Sequence, residues 1–176
     1  YDIFLRKKFN AWIMQRNGAF SVDREGSDRK SMTAAIDILT AGGDCPGLNA
    51  TIRAIGKAAI QNHGIKVVGI LDGFRGLVEN RTRPLDFRDF SGLLTLGGTI
   101  LGTTRLPASK EVKLQRQAIR VLNQNSLDGL VVIGGNGSQT GAHALSEMEF
   151  PVIGVASTID NDPYGSEITS RVQYQS

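Results

Sequence analysis

The chain has a single cysteine, Cys45, which excludes an intrachain disulfide and a cysteine-based zinc site. Set in a Gly/Pro turn, Cys45 reads as a small packing residue, and a reduced, cytoplasmic setting fits. No apolar stretch approaches the roughly 18 residues of a membrane span, and the N-terminus lacks the apolar core of a signal peptide. There is no internal repeat. A strong charge bias is also missing. The net charge is +3, and residues 1–30 account for it with seven Lys/Arg against four Asp/Glu, leaving thirteen of each in the remainder. The patterned part of the chain therefore lacks the basic bias of a nucleic-acid binder, and neither a nucleic-acid nor a membrane partner is expected. The two histidines, His63 and His143, read as surface residues.

Glycine is what the chain has in excess. Its 21 glycines cluster at the ends of apolar runs, in a chain of 176 residues that is long enough for one domain with a real core. Two Gly-rich turns, Gly42-Gly43-Asp44-Cys45-Pro46-Gly47 and Gly134-Gly135-Asn136-Gly137-Ser138, each follow such a run. Turns of this kind leading into helix starts suit phosphate, because free backbone N–H groups and the helix dipole favour an anion. A third segment, Thr158-Ile159-Asp160-Asn161-Asp162, follows the apolar run Pro151 to Val155. Two carboxylates two residues apart at a strand exit can work together, one as a base on an alcohol and the other on a metal. The three segments together suggest phosphoryl transfer to a hydroxyl.

Residues 1–34 carry no sustained period and are expected to be a poorly ordered extension, with Met32 standing just before the first strand. From Ala35 the pattern alternates. Ile36 to Thr40 reads as a strand. Pro46 and Gly47 open a helix that His63-Gly64 ends. Ile65 to Leu71 is a strand and Asp72-Gly73 a turn. Residues 74–108 read as irregular, with short strands at most. Ser109 to Gln124 is an amphipathic helix with Val112, Ala118, Ile119 and Leu122 on its inner face. Leu130 to Ile133 is a strand whose continuous apolar character suits a parallel sheet. Thr140 to Met148 is helix, and Pro151 to Val155 a strand. This alternation predicts an α/β fold: a Rossmann-like layered, mostly parallel sheet with helices on both faces and right-handed crossovers. Ligands of such sheets bind outside the carboxyl ends of the strands, where all three motifs fall.

The motif Leu39-Thr40-Ala41-Gly42-Gly43-Asp44-Cys45-Pro46-Gly47-Leu48-Asn49-Ala50, the motif Gly97-Gly98-Thr99-Ile100-Leu101-Gly102-Thr103-Thr104-Arg105, and the segments at Gly134 and Thr158 occur in this order. Together they make the chain resemble the N-terminal half of a bacterial 6-phosphofructokinase, from about Ile36 to about Ile168. The resemblance divides the chain into an extension (1–34), a nucleotide-binding N-terminal half (35–168) and an atypical tail (169–176) that does not resemble the family's continuation. A truncated or frame-disrupted relative is the expectation. The resemblance implies ATP-dependent phosphorylation of fructose 6-phosphate to fructose 1,6-bisphosphate in glycolysis, with Mg²⁺, and a homo-oligomer, tetramer or dimer, in the full-length form.

It also implies roles. In-line phosphoryl transfer is mostly positioning and electrostatics. Gly43 would let backbone approach the nucleotide phosphates. Arg105, whose guanidinium fork suits phosphate oxygens, would bridge the donor phosphates and stabilise the transition state, with Leu106 beside it at the nucleotide. Gly135, Asn136, Gly137 and Ser138 form the second turn, which meets the donor. ATP-using members carry glycine at the position of Gly137, whereas pyrophosphate-using members carry aspartate. Asn136 stands where the family has an aspartate that binds magnesium. An amide binds Mg²⁺ more weakly, which shifts weight onto Asp162. Asp160 would take the proton of the sugar's 1-hydroxyl, while Thr158 and Ile159 hold the acceptor. Phe74 reads either as an adenine-stacking ring or as a core aromatic. Arg53 and Lys57, one helical turn apart, match a face that binds effector phosphates in allosteric members. Here a solvated face is expected, because a third effector-site arginine is replaced near Phe87. Two alternatives stand beside the ATP reading: a pyrophosphate-dependent fructose 6-phosphate phosphotransferase, and a non-enzymatic nucleotide-binding fragment.

Overall fold

The computed structural model describes residues 34–42, 46–104 and 111–157. The extension expected at 1–34, the tail at 169–176 and the start of the helix expected from Ser109 lie outside those residues, apart from Ala34. The elements, in order, are β1 (Ala35–Ala41), α1 (Leu48–His63), β2 (Lys66–Ile70), α2 (Gly73–Val78), β3 (Thr82–Leu85), a 3₁₀ turn (Leu93–Thr95), α3 (Val112–Gln124), β4 (Gly129–Gly134), α4 (Asn136–Glu147) and β5 (Val152–Ala156). The sheet order is β3-β2-β1-β4-β5. All neighbours are parallel except β2 and β3. The expected mostly parallel α/β sheet is thus present. β3 is an antiparallel strand at the end of the described order, which is where a sheet tolerates Pro84 and its missing N–H.

Strand alternation distributes the core over two faces. Ala35, Leu39, Leu130 and Val132 join Phe74 and Leu77 of α2, Ala118, Val121 and Leu122 of α3, and Ala142 and Leu145 of α4 in one buried cluster. Ile36, Ile38, Val131 and Ile133 alternate with these and point the other way. They are fully buried there, as are Leu48 and Ile52 of α1. Gly56 of α1 sits against the Phe90 ring, which leaves no room for a Cβ. α1 ends as its His63-Gly64 sequence indicates. Gly64 adopts φ 62° and its N–H donates to Ile60, a left-handed glycine closure, while Ile65 N donates to Ala59.

Several boundaries differ from expectation. The 74–108 stretch contains α2 and β3, which are too short to impose a period. α4 begins at Asn136 rather than Thr140, so a glycine-rich run that reads as a turn is helical. In α3 the buried stripe is Ala118, Val121 and Leu122, whereas Val112, at the helix's first residue and beyond the sheet's cover, is 55% exposed.

One residue of β1 breaks the apolar pattern. Asp37 is 0% exposed, and neither carboxylate oxygen has a hydrogen-bond partner among the described residues. Its ladder neighbours are Val68 and Leu130. Burial pushes its pKa up to about 7, because the charged form loses its hydration. The folded chain then holds this proton more tightly than the unfolded one. Asp37's contribution to stability should be greatest below pH 4 and fall as the pH rises to about 7, with little further change above; it totals on the order of 4 kcal/mol. Asp37→Val is expected to stabilise the chain at pH 7.5 by a few kcal/mol and to flatten this dependence. Urea unfolding between pH 4 and 8 measures both. A variant no more stable than the parent at pH 7.5 contradicts the assignment.

Candidate functional site

The sheet reverses its winding at β1. β2 follows β1 on one side and β4 lies on the other, with α1 and α4 on opposite faces. In open α/β sheets the crevice for ligands lies at such a switch point, outside the carboxyl ends of the strands. The register runs to the last residue of each strand, pairing Ala41 with Gly134. The two Gly-rich turns therefore leave the sheet side by side.

The contact between them is close. A Cβ on Gly134 would run into the Ala41 carbonyl and Ser138 Oγ, so no side chain is possible there. Gly42 has φ 95°, and a Cβ on it would lie 3.3 Å from the same Ser138 oxygen. Ser138, 5% exposed, packs the turns together from below. It is the residue expected at the donor phosphates, and it lies against Gly42 and Gly134 where the turns leave the sheet. The N-cap of α4 is Gly135, which has no side chain to cap that end. The first N–H groups of the helix, on the exposed Asn136 and Gly137, lack intrahelical acceptors by construction and face out with the positive end of the dipole. Gly137 differs from the other two glycines: it lies within the helix, and nothing among the described residues lies within 4 Å of a Cβ built on it.

The second motif is brought to the same crevice by side chains for which sequence reasoning had no role. Asn49, 2% exposed at the start of α1, donates from Nδ2 to the carbonyls of Leu96 (3.0 Å) and Gly97 (3.2 Å) and accepts from Ile100 N at 2.8 Å. Thr40, buried at the end of β1, donates to the Gly102 carbonyl at 2.9 Å and lies 3.0 Å from Thr99 Oγ1. Since Thr40 has one proton, Thr99 donates to it, and Thr99 Oγ1 in turn accepts from Leu101 N at 3.1 Å. Asp72 N donates to the Leu101 carbonyl at 2.8 Å, and the Asp72 carboxylate pairs with Arg81 at 2.7 Å. Residues 96–102 are thus fixed from three sides, three residues before Arg105.

At the third exit, Ser157 N donates to the Gly134 carbonyl at 3.0 Å. Thr158, Ile159, Asp160 and Asp162 follow in sequence. They, with Gly43, Arg105 and Leu106, lie outside the described residues. Phe74 is 8% exposed and belongs to the buried cluster, packing that supports the core reading of this aromatic. Lys57 Nζ lies 4.3 Å over the Phe87 ring, a cation–π contact rather than a purely solvated charge. His63 and His143 are exposed, and His143 lies 3.8 Å from Glu147. Among the described residues no group of three or more acidic, His or Cys side chains could hold a metal. Asn136 is the described candidate donor. Asn49→Ala would strip partners from Ile100 N and two carbonyls. It is expected to cost about 2–3 kcal/mol in urea unfolding; a cost below about 0.5 kcal/mol would mean that the 96–102 segment is not held this way.

Comparison with known proteins follows the same lines. Residues 35–170 match the family model described as Phosphofructokinase. The chain is 48% identical over 138 residues to the ATP-dependent 6-phosphofructokinase of Tolumonas auensis, covering 78% of this chain and 43% of that protein. It is 46% identical over 138 residues to the ATP-dependent 6-phosphofructokinase of Vibrio cholerae, with the same coverage. The crystal structure of Pichia pastoris phosphofructokinase in the T-state superposes with a TM-score of 0.72 at 34% identity, over 84% of this chain and 18% of that one. The chain thus spans less than half the length of the curated relatives it matches.

Proposed function

The chain belongs to the phosphofructokinase family, and from that premise we propose that residues 35–168 are the nucleotide-binding half of an ATP-dependent 6-phosphofructokinase. The reaction moves the γ-phosphate of ATP to the 1-hydroxyl of fructose 6-phosphate. Gly137 is the observation that carries the choice of donor. It sits in the first turn of α4, at the mouth of the crevice, with a helical backbone and open space where a Cβ would be. The fold does not require glycine there, and a helical glycine costs roughly 0.5–1 kcal/mol against alanine. A reason outside folding is needed, and room for a nucleotide phosphate supplies one. An aspartate would fit the fold equally well but would repel that phosphate.

In this reading the donor phosphates lie between the α4 N-terminus and the turn at Gly42 and Gly43, and Arg105, beside Leu106, neutralises charge as it develops on the transferring group. Asp160 accepts the proton of the attacking hydroxyl, and Thr158 and Ile159 hold the acceptor in line. Magnesium, when bound, offsets the phosphate charge; Asp162 would hold it, with the Asn136 amide oxygen contributing directly or through water. The single cysteine fits a cytoplasmic setting, and no helix among the described residues is long and apolar enough to cross a membrane. A dimer or tetramer is proposed for the full-length form.

Because the chain covers 43% of its relatives, residues 1–176 alone are expected to bind Mg–ATP weakly and to turn over no fructose 6-phosphate: a base and a phosphate clamp do not accelerate transfer to an acceptor that is not held in line. A coupled assay for ADP, with and without the sugar, checks this, and sugar-dependent turnover lost in Asp160→Ala would contradict it. The activity itself is tested in a chimera joining residues 35–168 to the remaining part of the Tolumonas auensis relative. Fructose 6-phosphate-dependent ADP formation is expected, abolished by Asp160→Ala. Gly137→Ala should be neutral to stabilising for the fold, whereas Gly137→Asp should weaken ATP use at least tenfold. Equal rates with ATP and pyrophosphate in the unmutated chimera would overturn the choice of donor.

A further inference from the structure

We infer that Gln139 is a positioning residue: its carboxamide locks the exit of β5 to the proposed phosphate turn that opens α4, and so fixes Ser157, the residue that precedes the Thr158 motif. The inference rests on the reading of that turn as the donor-phosphate site.

Gln139 is the fourth residue of α4, on the same first turn as Asn136 and Gly137. Its Nε2 donates to two carbonyls, Gly134 at 3.0 Å and Val155 at 3.0 Å. Gly134 ends β4, and Val155 is the penultimate residue of β5; Gly134 pairs with Ala156 at the end of the ladder. The amide thus lies across the last rung of the β4–β5 pair. Both N–H hydrogens are used and both acceptors are carbonyls, so the orientation of the amide follows from chemistry. The Gly134 carbonyl also accepts from Ser157 N at 3.0 Å, so one oxygen gathers the helix side chain and the residue that precedes Thr158.

The strand makes room for this contact. Gly154 faces the Gln139 amide, and a Cβ on it would collide with Gln139 Oε1. A glycine inside a strand weakens it; here its place is taken by the glutamine lying over the backbone. Gln139 and Gly154 form one device, a side chain from the helix and the gap that receives it. Asp160 and Asp162 follow Ser157 by three and five residues. A shift at this rung would move Ser157, from which the chain continues to them in sequence, relative to Asn136 and Gly137.

The test uses residues 1–176. In the ligand-free chain, amide hydrogen exchange reports the lock directly. Gln139→Glu keeps the shape but sets a carboxylate against two carbonyls; it is expected to raise exchange at Ser157 N about tenfold relative to Leu130 N and Val132 N. Gly154→Ala, which blocks the seat from the other strand and remains available should Gln139→Glu fail to fold, is expected to do the same, with the double variant no more than twofold worse than either single one. Ser157 protection within twofold of the parent in both variants would overturn the lock. The second readout is nucleotide affinity with Mg²⁺ and with a chelator. About a tenfold loss confined to the Mg²⁺-dependent part is expected. Equal losses in both would overturn the positioning role, meaning that the helix start itself was disturbed. If the unmutated chain binds no nucleotide, the functional reading fails while the exchange data still decide the lock.

Discussion

The structure depends on the parallel pairing of β1 with β4 up to the final pair, Ala41 with Gly134. That ladder reverses the winding of the sheet and leaves two loops departing from adjacent strand ends toward opposite helical layers. It also demands that Gly134 have no side chain, because the Ala41 carbonyl and Ser138 occupy the space. A bulkier residue there would push the turns apart. The phosphate site proposed here rests on this backbone contact before any charged side chain is considered.

Irregular backbone around the strand exits then needs partners, since buried N–H and C=O groups without them are costly. Neutral side chains supply them. Thr40 and Asn49 hold residues 96–102 from β1 and α1, and Gln139 closes the end of β5 from α4. Each comes from a regular element and reaches a loop, so the precision of strand and helix passes to segments that have no ladder of their own. Neutral donors serve well, because they leave the electrostatic field of the crevice to the helix dipole and to whatever charges enter it. Asp37 shows the opposite case: a carboxylate inside the sheet with no partner among the described residues, which opposes folding wherever it is ionised. Nothing in the crevice explains it.

The layered parallel sheet was legible because Leu130 to Ile133 and Ile36 to Thr40 are apolar runs between glycine-rich turns, and few folds accommodate that alternation. The start of α4 was not. Gly-Asn-Gly-Ser carries the local chemistry of a turn, and only packing against β4 and β5 makes it helical. Short α2 and β3 lacked the length to show a period. Thr40 and Asn49 did leave a signal, being polar residues inside otherwise apolar or small-residue elements, which asks what they bond to. Gln139 left none, because its meaning depends on a strand fifteen residues further on. Asp37 was readable as an anomaly, but an apolar run absorbs one acidic residue without changing the element it predicts. The charged groups of the site, Arg105, Asp160 and Asp162, rest on their motifs, since they fall outside the described residues.

The central claim is that the two glycine-rich turns form one phosphate site. It is tested most directly by following the backbone amide resonances of the chain as a non-hydrolysable ATP analogue with Mg²⁺ is added. The account predicts saturable shifts at Gly42, at Gly135, Asn136 and Gly137, and at Gly102 to Thr104, all with a single dissociation constant, and none along the outer face of α3. Shifts confined to one turn, or two turns titrating with different constants, would contradict it.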